Sequence, residues 1–458
     1  MATTNDSSSN NTILNTAEFT SEVASFYQGK SSEGLAPSLW TLVLSQVTTW
    51  IFARSLMNAA VLGFFYGIAG ALAYGMYYFS FITGAHIVDS LRFKHGFSNM
   101  QGFMRAKFGQ VGEHCYNAVI SFRLISEVFS NLLVFGFITT LFVGLNETYL
   151  ILIIAVATLI YSSIGGLHTA LKTDVVQALL TIVAIAVLSI AMFMHPLFSF
   201  TDIIASSSTA DNKGWILLIV AFIQVWSYPA HDPVMTDRGF LADRITTKKS
   251  FYYAAPISII CIMLFGLLGV FAQLNNPGGA IEVTQTLNTL FSPAVMMIFC
   301  FALIISAIST LDSTYASAAK LVAVDMNLVK PTVRNGRLIM LGFLLAGLGF
   351  IATGSKDLFD AVAISGTASL FLAPVVFFSI WSNWEVKPWA LVVSFIAALL
   401  AGIIYMLENG GYISVMTIVF GFEHKYTKLL LLCIIASTIG CIAFLLARTS
   451  VEKTVKVV

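Results

Sequence analysis

The sequence predicts an all-α polytopic membrane protein with about 12 transmembrane helices. Of its 458 residues, 57% are hydrophobic and 10% are charged, whereas soluble domains are roughly 45–50% apolar. Apolar runs of roughly 18 residues or more recur along the chain, and each is long enough to cross a bilayer as a helix. The net charge of +1 gives no reason to expect a nucleic-acid partner, and nothing in the sequence indicates an obligate protein partner.

Twelve predicted spans divide the chain into two halves and a C-terminal pair. In chain order they occupy 36–60, 64–90, 111–144, 148–165, 170–194, 213–230, 250–273, 288–326, 337–354, 357–382, 388–407 and 426–447. We expect residues 1–35 to form a cytoplasmic tail, 36–194 and 195–382 to hold five spans each, and 383–458 to add two peripheral helices and a short cytoplasmic tail.

The basic residues predict the orientation of these spans. Of 24 Lys and Arg residues, 18 fall in loops or near span ends on one side, four do so on the other, and Arg54 and Arg123 lie deeper within spans. Cytoplasmic loops are enriched in Lys and Arg, so both termini are predicted to be cytoplasmic in the plasma (inner) membrane. Five spans per half make the halves enter from opposite sides, as an inverted repeat requires.

The first span is interrupted by polar side chains. Ser45, Gln46, Thr48 and Thr49 lie in its middle, and hydroxyl side chains compete with helical backbone hydrogen bonds. A break near 44–49 is therefore expected. Unwound backbone at that depth is tolerated where it lines a cavity or holds an ion.

The sixth span carries a similar interruption. Gln224, Ser227, Tyr228 and Pro229 fall in the corresponding position, and the proline removes a backbone donor. Interrupted helices that open each half of a repeat indicate a substrate site. The alternative is a pair of helices that are merely kinked.

Five hydroxyl residues lie on one helical face of the eighth span: Ser306, Ser309, Thr310, Ser313 and Ser317. Hydroxyl oxygens at this spacing can supply several ligands to a hard cation from one rigid element. The alternative is helix–helix packing in which the hydroxyls bond to carbonyls one turn earlier.

Four charged residues within the spans leave further alternatives open. Arg123 and Glu127 are four residues apart and either neutralise each other or serve a site. Arg54 can pair with Glu127, meet an anionic solute or extend to the membrane surface. Asp174 opens the fifth span, where it is either an interfacial cap or an ion ligand.

Three stretches resemble the sodium:solute symporter family. They are FYQGKSSEGLAPSLWTLVLSQVTTW at 26–50, YSSIGGLHTALKTDVVQ at 161–177 and SAISTLDSTYASAAKLVAVDM at 306–326. The resemblance implies the LeuT-type fold of five plus five inverted helices. It also implies a sodium ion held by the carbonyls of Leu44 and Val47 with Ser306, Ser309 and Thr310. Some members hold a second sodium beside the residue matching Asp174.

The function that these observations favour is sodium-coupled import of a small organic solute, an amino acid or a carboxylate. The candidate solute-binding residues lie on four spans: Gln46, Thr49, Trp50, Arg123, Gln224, Tyr228, Ser365 and Thr367. If Arg123 faces the pocket, a carboxylate solute follows; if it pairs with Glu127, a neutral or zwitterionic solute follows.

Two alternative transport functions remain open. One is a proton-coupled carrier that uses Glu127 or Asp174. The other is a carrier of urea or another neutral solute, since the first span looks closer to the urea-transporter branch. An enzyme is not expected, because the sequence shows no phosphate-binding loop and no nucleophile–base set.

Overall fold

The computed structural model describes residues 21–31, 33–139, 146–209, 211–276, 279, 282–352 and 364–449, and these residues form helices and connections with one isolated β-bridge. The helices α1 to α9 are Ser21–Gln28, Leu39–Trp50, Ala53–Met76, Ser80–Val88, Met100–Thr139, Glu147–Phe193, Phe200–Ala205, Lys213–Gln224 and Pro233–Gly239. Helices α10 to α17 are Arg244–Leu274, Val283–Leu290, Pro293–Lys320, Val333–Ala352, Ile364–Trp381, Trp389–Asn409, Val415–Phe420 and Lys425–Leu446.

Gly67 ends the first span and begins the second inside α3. Its φ of 62° and ψ of −150° are not helical. The chain reverses there so sharply that a Cβ on Gly70 would meet the carbonyl oxygen of Leu62. The boundary lies three residues beyond the predicted gap between 60 and 64.

Gly166 separates the fourth and fifth predicted spans inside α6. A straight helix of this element's 47 residues would be about 70 Å long, more than twice the hydrocarbon thickness of a bilayer. Gly166 interrupts it with φ 56° and ψ −141°. The interruption agrees with the predicted boundary between 165 and 170.

Nine helices in the described ranges are long and apolar enough to cross a membrane. Many of their apolar side chains are exposed, as lipid-facing surfaces require: on α6 these include Ile153, Ile160, Ile164, Val176 and Val183. The predicted all-α membrane fold is therefore confirmed. Parts of the third, ninth and tenth predicted spans, at 140–144, 353–354 and 357–363, lie outside the described residues, and the total of twelve stays a prediction.

Helix pairs from the two halves form the centre of the molecule. Helix α3 packs along α10, α12 packs along α6, and α2 contacts α6, α10 and α12. Helices α15 and α17 pack on each other and touch the centre from one side. The short helix α2 is thus surrounded on several sides, which brings its polar residues to buried positions.

Candidate functional site

The helical backbone is broken between α2 and α3. Ile51 has φ −81° and ψ 66°, and Phe52 has φ −62° and ψ 149°. Among the residues that the structure describes, no side chain caps the first amides of α3, so these donors have no side-chain acceptor at the break. The predicted break at 44–49 is wrong by a few residues.

The polar residues of α2 do not break the helix, because several of their side chains form hydrogen bonds that leave the helical backbone intact. The Thr49 hydroxyl donates to the Ser45 carbonyl at 2.7 Å. The Gln46 amide donates to the Ser250 hydroxyl on α10 at 3.1 Å. Both predicted solute-binding residues thus engage protein groups instead of the cavity described below.

The Ser306 hydroxyl on α12 donates to the carbonyl oxygen of Ile51 at the break. By contrast, Leu44 lies inside α2, and the Val47 carbonyl accepts the Ile51 amide at 2.9 Å. The break therefore presents the Ile51 carbonyl to the hydroxyls of α12, whereas those of Leu44 and Val47 lie within the helix.

The other hydroxyls of α12 have different roles. Thr310 donates to the Ser306 carbonyl at 2.8 Å, the helix-packing alternative. Ser309 donates to Asp174 Oδ1 at 2.8 Å. Ser317 has a buried hydroxyl oxygen with no hydrogen-bond partner among the described residues.

Asp174 lies at the centre of a buried polar cluster, which we call the Asp174 cluster: Ser45, Asp174, Arg238, Ser309 and Ser313. The Ser45 hydroxyl donates to Asp174 Oδ2 at 2.6 Å, and Arg238 Nη2 lies 3.1 Å from the same oxygen. Arg238, counted among the inner-loop basic residues from the sequence, is instead fully buried on α9. Asp174 is thus a buried partner of an arginine instead of an interfacial cap.

A second buried cluster holds two arginines and two carboxylates, and we call it the charge tetrad: Arg54, Arg123, Glu127 and Asp232. Glu127 Oε2 accepts from both Arg54, at 2.9 Å, and Arg123. Arg123 Nη2 also donates to Asp232 Oδ2 at 2.9 Å. The two positive and two negative formal charges balance. Arg123 is therefore not a free cation, since it pairs with Glu127 on α5 and with Asp232 just before α9.

An aromatic cavity adjoins the break and the charge tetrad. It is lined by Trp50, Phe52, Arg54, Ser55, Tyr74, Tyr77, Tyr78 and Tyr228. Its volume of about 20 Å³ is little more than a water molecule needs. An organic solute therefore requires side chains to move. Trp50 Nε1 and Arg54 Nε are buried donors without a partner among the described residues.

The sixth span is interrupted as predicted. Helix α8 ends at Gln224, a 3₁₀ turn covers Tyr228–His231, and α9 begins at Pro233. Tyr228 packs edge-on against Trp50 with ring centroids 5.7 Å apart. The interruptions of the first and sixth spans therefore meet at the aromatic cavity.

The remaining predicted solute-binding residues lie one layer behind the cavity wall. Gln224 accepts the Tyr77 hydroxyl at 2.7 Å, and its amide lies 3.4 Å from Thr367. Ser365 lies 3.1 Å from the His231 imidazole. These residues orient the wall and do not line the cavity themselves.

Sequence reasoning missed five cavity residues and two charged partners: Phe52, Ser55, Tyr74, Tyr77, Tyr78, Asp232 and Arg238. The run YGMYYF at 74–79 placed aromatic rings at helical spacing and was an available signal. Asp232 follows Pro229 in the predicted interruption. Arg238 carried no signal, because a basic residue after a span usually faces the cytoplasm.

An all-helical membrane protein whose first and sixth spans break beside a buried polar site has the architecture of an inverted-repeat secondary transporter. This chain belongs to the sodium:solute symporter family, whose model matches residues 36–275. It is therefore a sodium-coupled transporter and not an enzyme. No curated protein matches its sequence.

Solved transporters share the fold at low sequence identity. A sodium-coupled sialic acid symporter, in a substrate-bound outward-open state, is similar with a TM-score of 0.70 at 16% identity, over 94% of this chain and 93% of that chain. A nucleobase-cation-symport-1 family transporter in a closed conformation gives 0.57 at 13%, over 93% and 95%. A manganese transporter of Eremococcus coleocola gives 0.51 at 12%, over 90% and 93%. These similarities confirm the LeuT-type fold.

Proposed function

We propose that this symporter imports a small neutral or zwitterionic organic solute, such as an amino acid, across the plasma membrane, with both termini cytoplasmic. The proposed class of solute rests on the charge tetrad. Because Glu127 and Asp232 already neutralise Arg54 and Arg123, a solute with net negative charge would bring an uncompensated charge into a buried site. A zwitterion brings none.

We further propose that sodium binds between the break and α12. Its ligands are the Ile51 carbonyl and the hydroxyls of Ser306, Ser309 and Thr310, all hard oxygen donors. The Ser306 hydroxyl already contacts the Ile51 carbonyl, which places two of these oxygens together. The carbonyls of Leu44 and Val47, which the family resemblance implied, would need α2 to unwind further.

The solute is proposed to bind in the aromatic cavity, against Trp50, Arg54 and Tyr228. Trp50 Nε1 and Arg54 Nε can donate to a carboxylate or carbonyl oxygen of the solute, and the first amides of α3 point the positive end of the helix dipole toward the break. Aromatic faces enclose the rest of a small solute. Gln224, Ser365 and Thr367 support the wall from behind.

We propose that sodium drives transport because one orientation of the transporter binds the ion more tightly than the other does. An ion that joins the break to α12 stabilises the state in which α2 is closed against the cytoplasmic side. Lys320 on α12 pairs at 2.6 Å with Asp237 on α9 and at 3.0 Å with Asp325. These pairs hold the inner end closed until sodium leaves.

The proton-coupled alternative is disfavoured by the partners of its two candidate carboxylates. Glu127 accepts from Arg54 and Arg123, and Asp174 accepts from Arg238. A proton on either carboxylate would leave its guanidinium partner as an uncompensated buried charge, which is unfavourable. The urea or neutral-solute alternative is compatible with the balanced tetrad.

The test is uptake into proteoliposomes of labelled zwitterionic amino acids, urea, dicarboxylates and a sialic acid, under a sodium gradient or a pH gradient. We expect sodium-driven uptake of a zwitterion or of urea and none of the anions. Sodium-driven uptake of a dicarboxylate would contradict the proposed solute class. Uptake that follows the pH gradient in sodium-free buffer would contradict sodium coupling.

A further inference from the structure

We propose that Arg238 is a built-in cation that occupies the cation position beside Asp174, so that the protein binds one sodium ion and not two. The inference rests on the proposed sodium site at the break and α12, and it specifies how many ions that region takes. Asp174 on α6 accepts a hydrogen bond at 2.8 Å from Ser309, one of the proposed sodium ligands, so its carboxylate is next to that site and is the one that a second sodium would use.

The hydrogen bonds of Arg238 use the oxygens that a second sodium would require. Its Nε donates to the Ser45 oxygen at 2.7 Å, and its Nη2 donates to the Ser313 oxygen at 2.8 Å. These serines in turn direct their hydroxyl hydrogens at Asp174 Oδ2. With their oxygens accepting N–H groups, Ser45 and Ser313 are not free to face a metal ion.

The charge balance leads to the same conclusion. Asp174 and Arg238 have no side-chain exposure and lie 3.1 Å apart, so their charges cancel where little water can reach. A sodium ion added to this neutral pair would need a further anionic partner, because an uncompensated charge in a buried site is strongly unfavourable. The buried carboxylate that could supply one is Asp312 of α12, whose Oδ2 lies 3.5 Å from the Thr173 hydroxyl of α6, and the control below tests it. The guanidinium therefore excludes a second ion by charge as well as by occupying its ligands.

The guanidinium cannot leave the site as an ion can. Its Nη1 also donates to the Val234 carbonyl at 2.8 Å, within its own helix α9. A tethered cation balances Asp174 in every state that keeps the pair together, but contributes no ion to each transport cycle. A tenfold sodium gradient would then drive at most about tenfold accumulation of a neutral solute at zero membrane potential, instead of about a hundredfold with two ions.

The test is equilibrium binding of ²²Na⁺ to the purified full-length protein, at alkaline pH so that protons compete least. It needs no knowledge of the solute. We expect about one ion per chain for the wild type and for Arg238→Lys, which keeps the charge. We expect about two for Arg238→Met, and about one for Asp174→Asn/Arg238→Met, because the uncharged pair neither attracts nor supplies a cation.

Asp312→Asn is the matched control. Asp312, on α12, is a second fully buried carboxylate near the Asp174 cluster, and it forms no ion pair within the described residues. Its removal should leave binding at about one ion per chain. Two ions bound by the wild type, a second ion lost in Asp312→Asn, or an unchanged single ion in a folded Arg238→Met would each overturn the inference. If Arg238→Met does not fold, the number of sodium ions bound by the wild type and by the double variant still tests the inference.

The outcome also separates this inference from the proposed function. A wild-type protein that binds no sodium at all would refute the proposed sodium site. A wild-type protein that binds two ions would refute only the role of Arg238.

Discussion

At the scale of single residues, the charge tetrad pairs two buried arginines with two buried carboxylates. Glu127 accepts from two arginines and from the Asn131 amide at 2.7 Å. The sequence indicated that Arg54 or Arg123 could pair with Glu127, and both do. It could not indicate Asp232, which is distant in the chain and completes the balance only after folding.

The charge tetrad predicts a large loss of stability for Glu127→Gln. This change leaves two buried guanidinium groups with one carboxylate, and breaking a buried pair costs about 3–5 kcal/mol. The free energy of unfolding in mixed detergent–SDS micelles measures it. Glu113→Gln is the control on the same helix, since its partner Arg105 is 62% exposed and such pairs contribute about 0–1 kcal/mol. Equal losses in the two variants would contradict the role given to the tetrad.

The unpaired indole of Trp50 predicts an effect on solute binding. Trp50→Phe keeps the ring packing but removes the donor, so the solute loses one hydrogen bond worth about 0.5–1.5 kcal/mol. We expect KM for solute uptake to rise roughly 3- to 10-fold with little change in protein stability. Trp40→Phe, which alters an exposed ring at the start of the same helix, should leave KM unchanged. An unchanged KM in Trp50→Phe would remove Trp50 from the solute site.

At the scale of helices, the length of the apolar runs predicted where the membrane helices lie. The positions of the polar residues, however, predicted the helix break a few residues too early. The nine long apolar helices of the described residues lie within or overlap predicted spans, because long apolar runs are local features of the sequence. The break was expected among the polar residues of α2, yet those side chains bond to α10, to α6 and to their own backbone. The position of the interruption depends on these tertiary partners, which the sequence alone does not reveal.

The reversal at Gly67 gives a prediction for an element boundary. An alanine Cβ there would lie 2.5 Å from the Ser207 hydroxyl, on a backbone with φ +62°. This backbone conformation, with ψ −150°, is one that essentially only glycine adopts, and it costs roughly 1–3 kcal/mol for another residue. The contact adds to that cost. We expect Gly67→Ala to lower the thermal unfolding midpoint of the purified protein.

Gly342→Ala provides the control for this reversal. Gly342 lies inside α13, and a Cβ there would meet no atom within 4 Å. Alanine is favoured over glycine in a helix interior by about 1 kcal/mol, so the midpoint should stay equal or rise. A Gly67→Ala protein as stable as Gly342→Ala would mean that α3 does not depend on the reversal.

At the scale of the whole molecule, the distribution of basic residues predicts the orientation in the membrane. Burial of Arg238 removes one residue from the predicted cytoplasmic set, and Lys428 on the opposite side pairs with Glu408 at 2.6 Å. The asymmetry survives both corrections, because most of the basic residues remain in the predicted cytoplasmic loops.

Cysteine labelling of intact cells measures this orientation. In a background without the five native cysteines, Glu423→Cys should react with an impermeant maleimide from outside, and Lys94→Cys only after permeabilisation. Both positions are exposed to solvent in the structure. The reverse pattern would invert the topology and with it the direction of transport.

The central claim is that sodium bound between the helix break and α12 drives transport, and the sodium dependence of solute uptake tests it most directly. We predict that Ser306→Ala raises the sodium concentration for half-maximal uptake at least about tenfold, equivalent to roughly 1.4 kcal/mol, because a ligand is lost. Ser317→Ala, which removes an unpartnered hydroxyl of the same helix, should match the wild type. A Ser306→Ala protein with wild-type sodium dependence would contradict the proposed site.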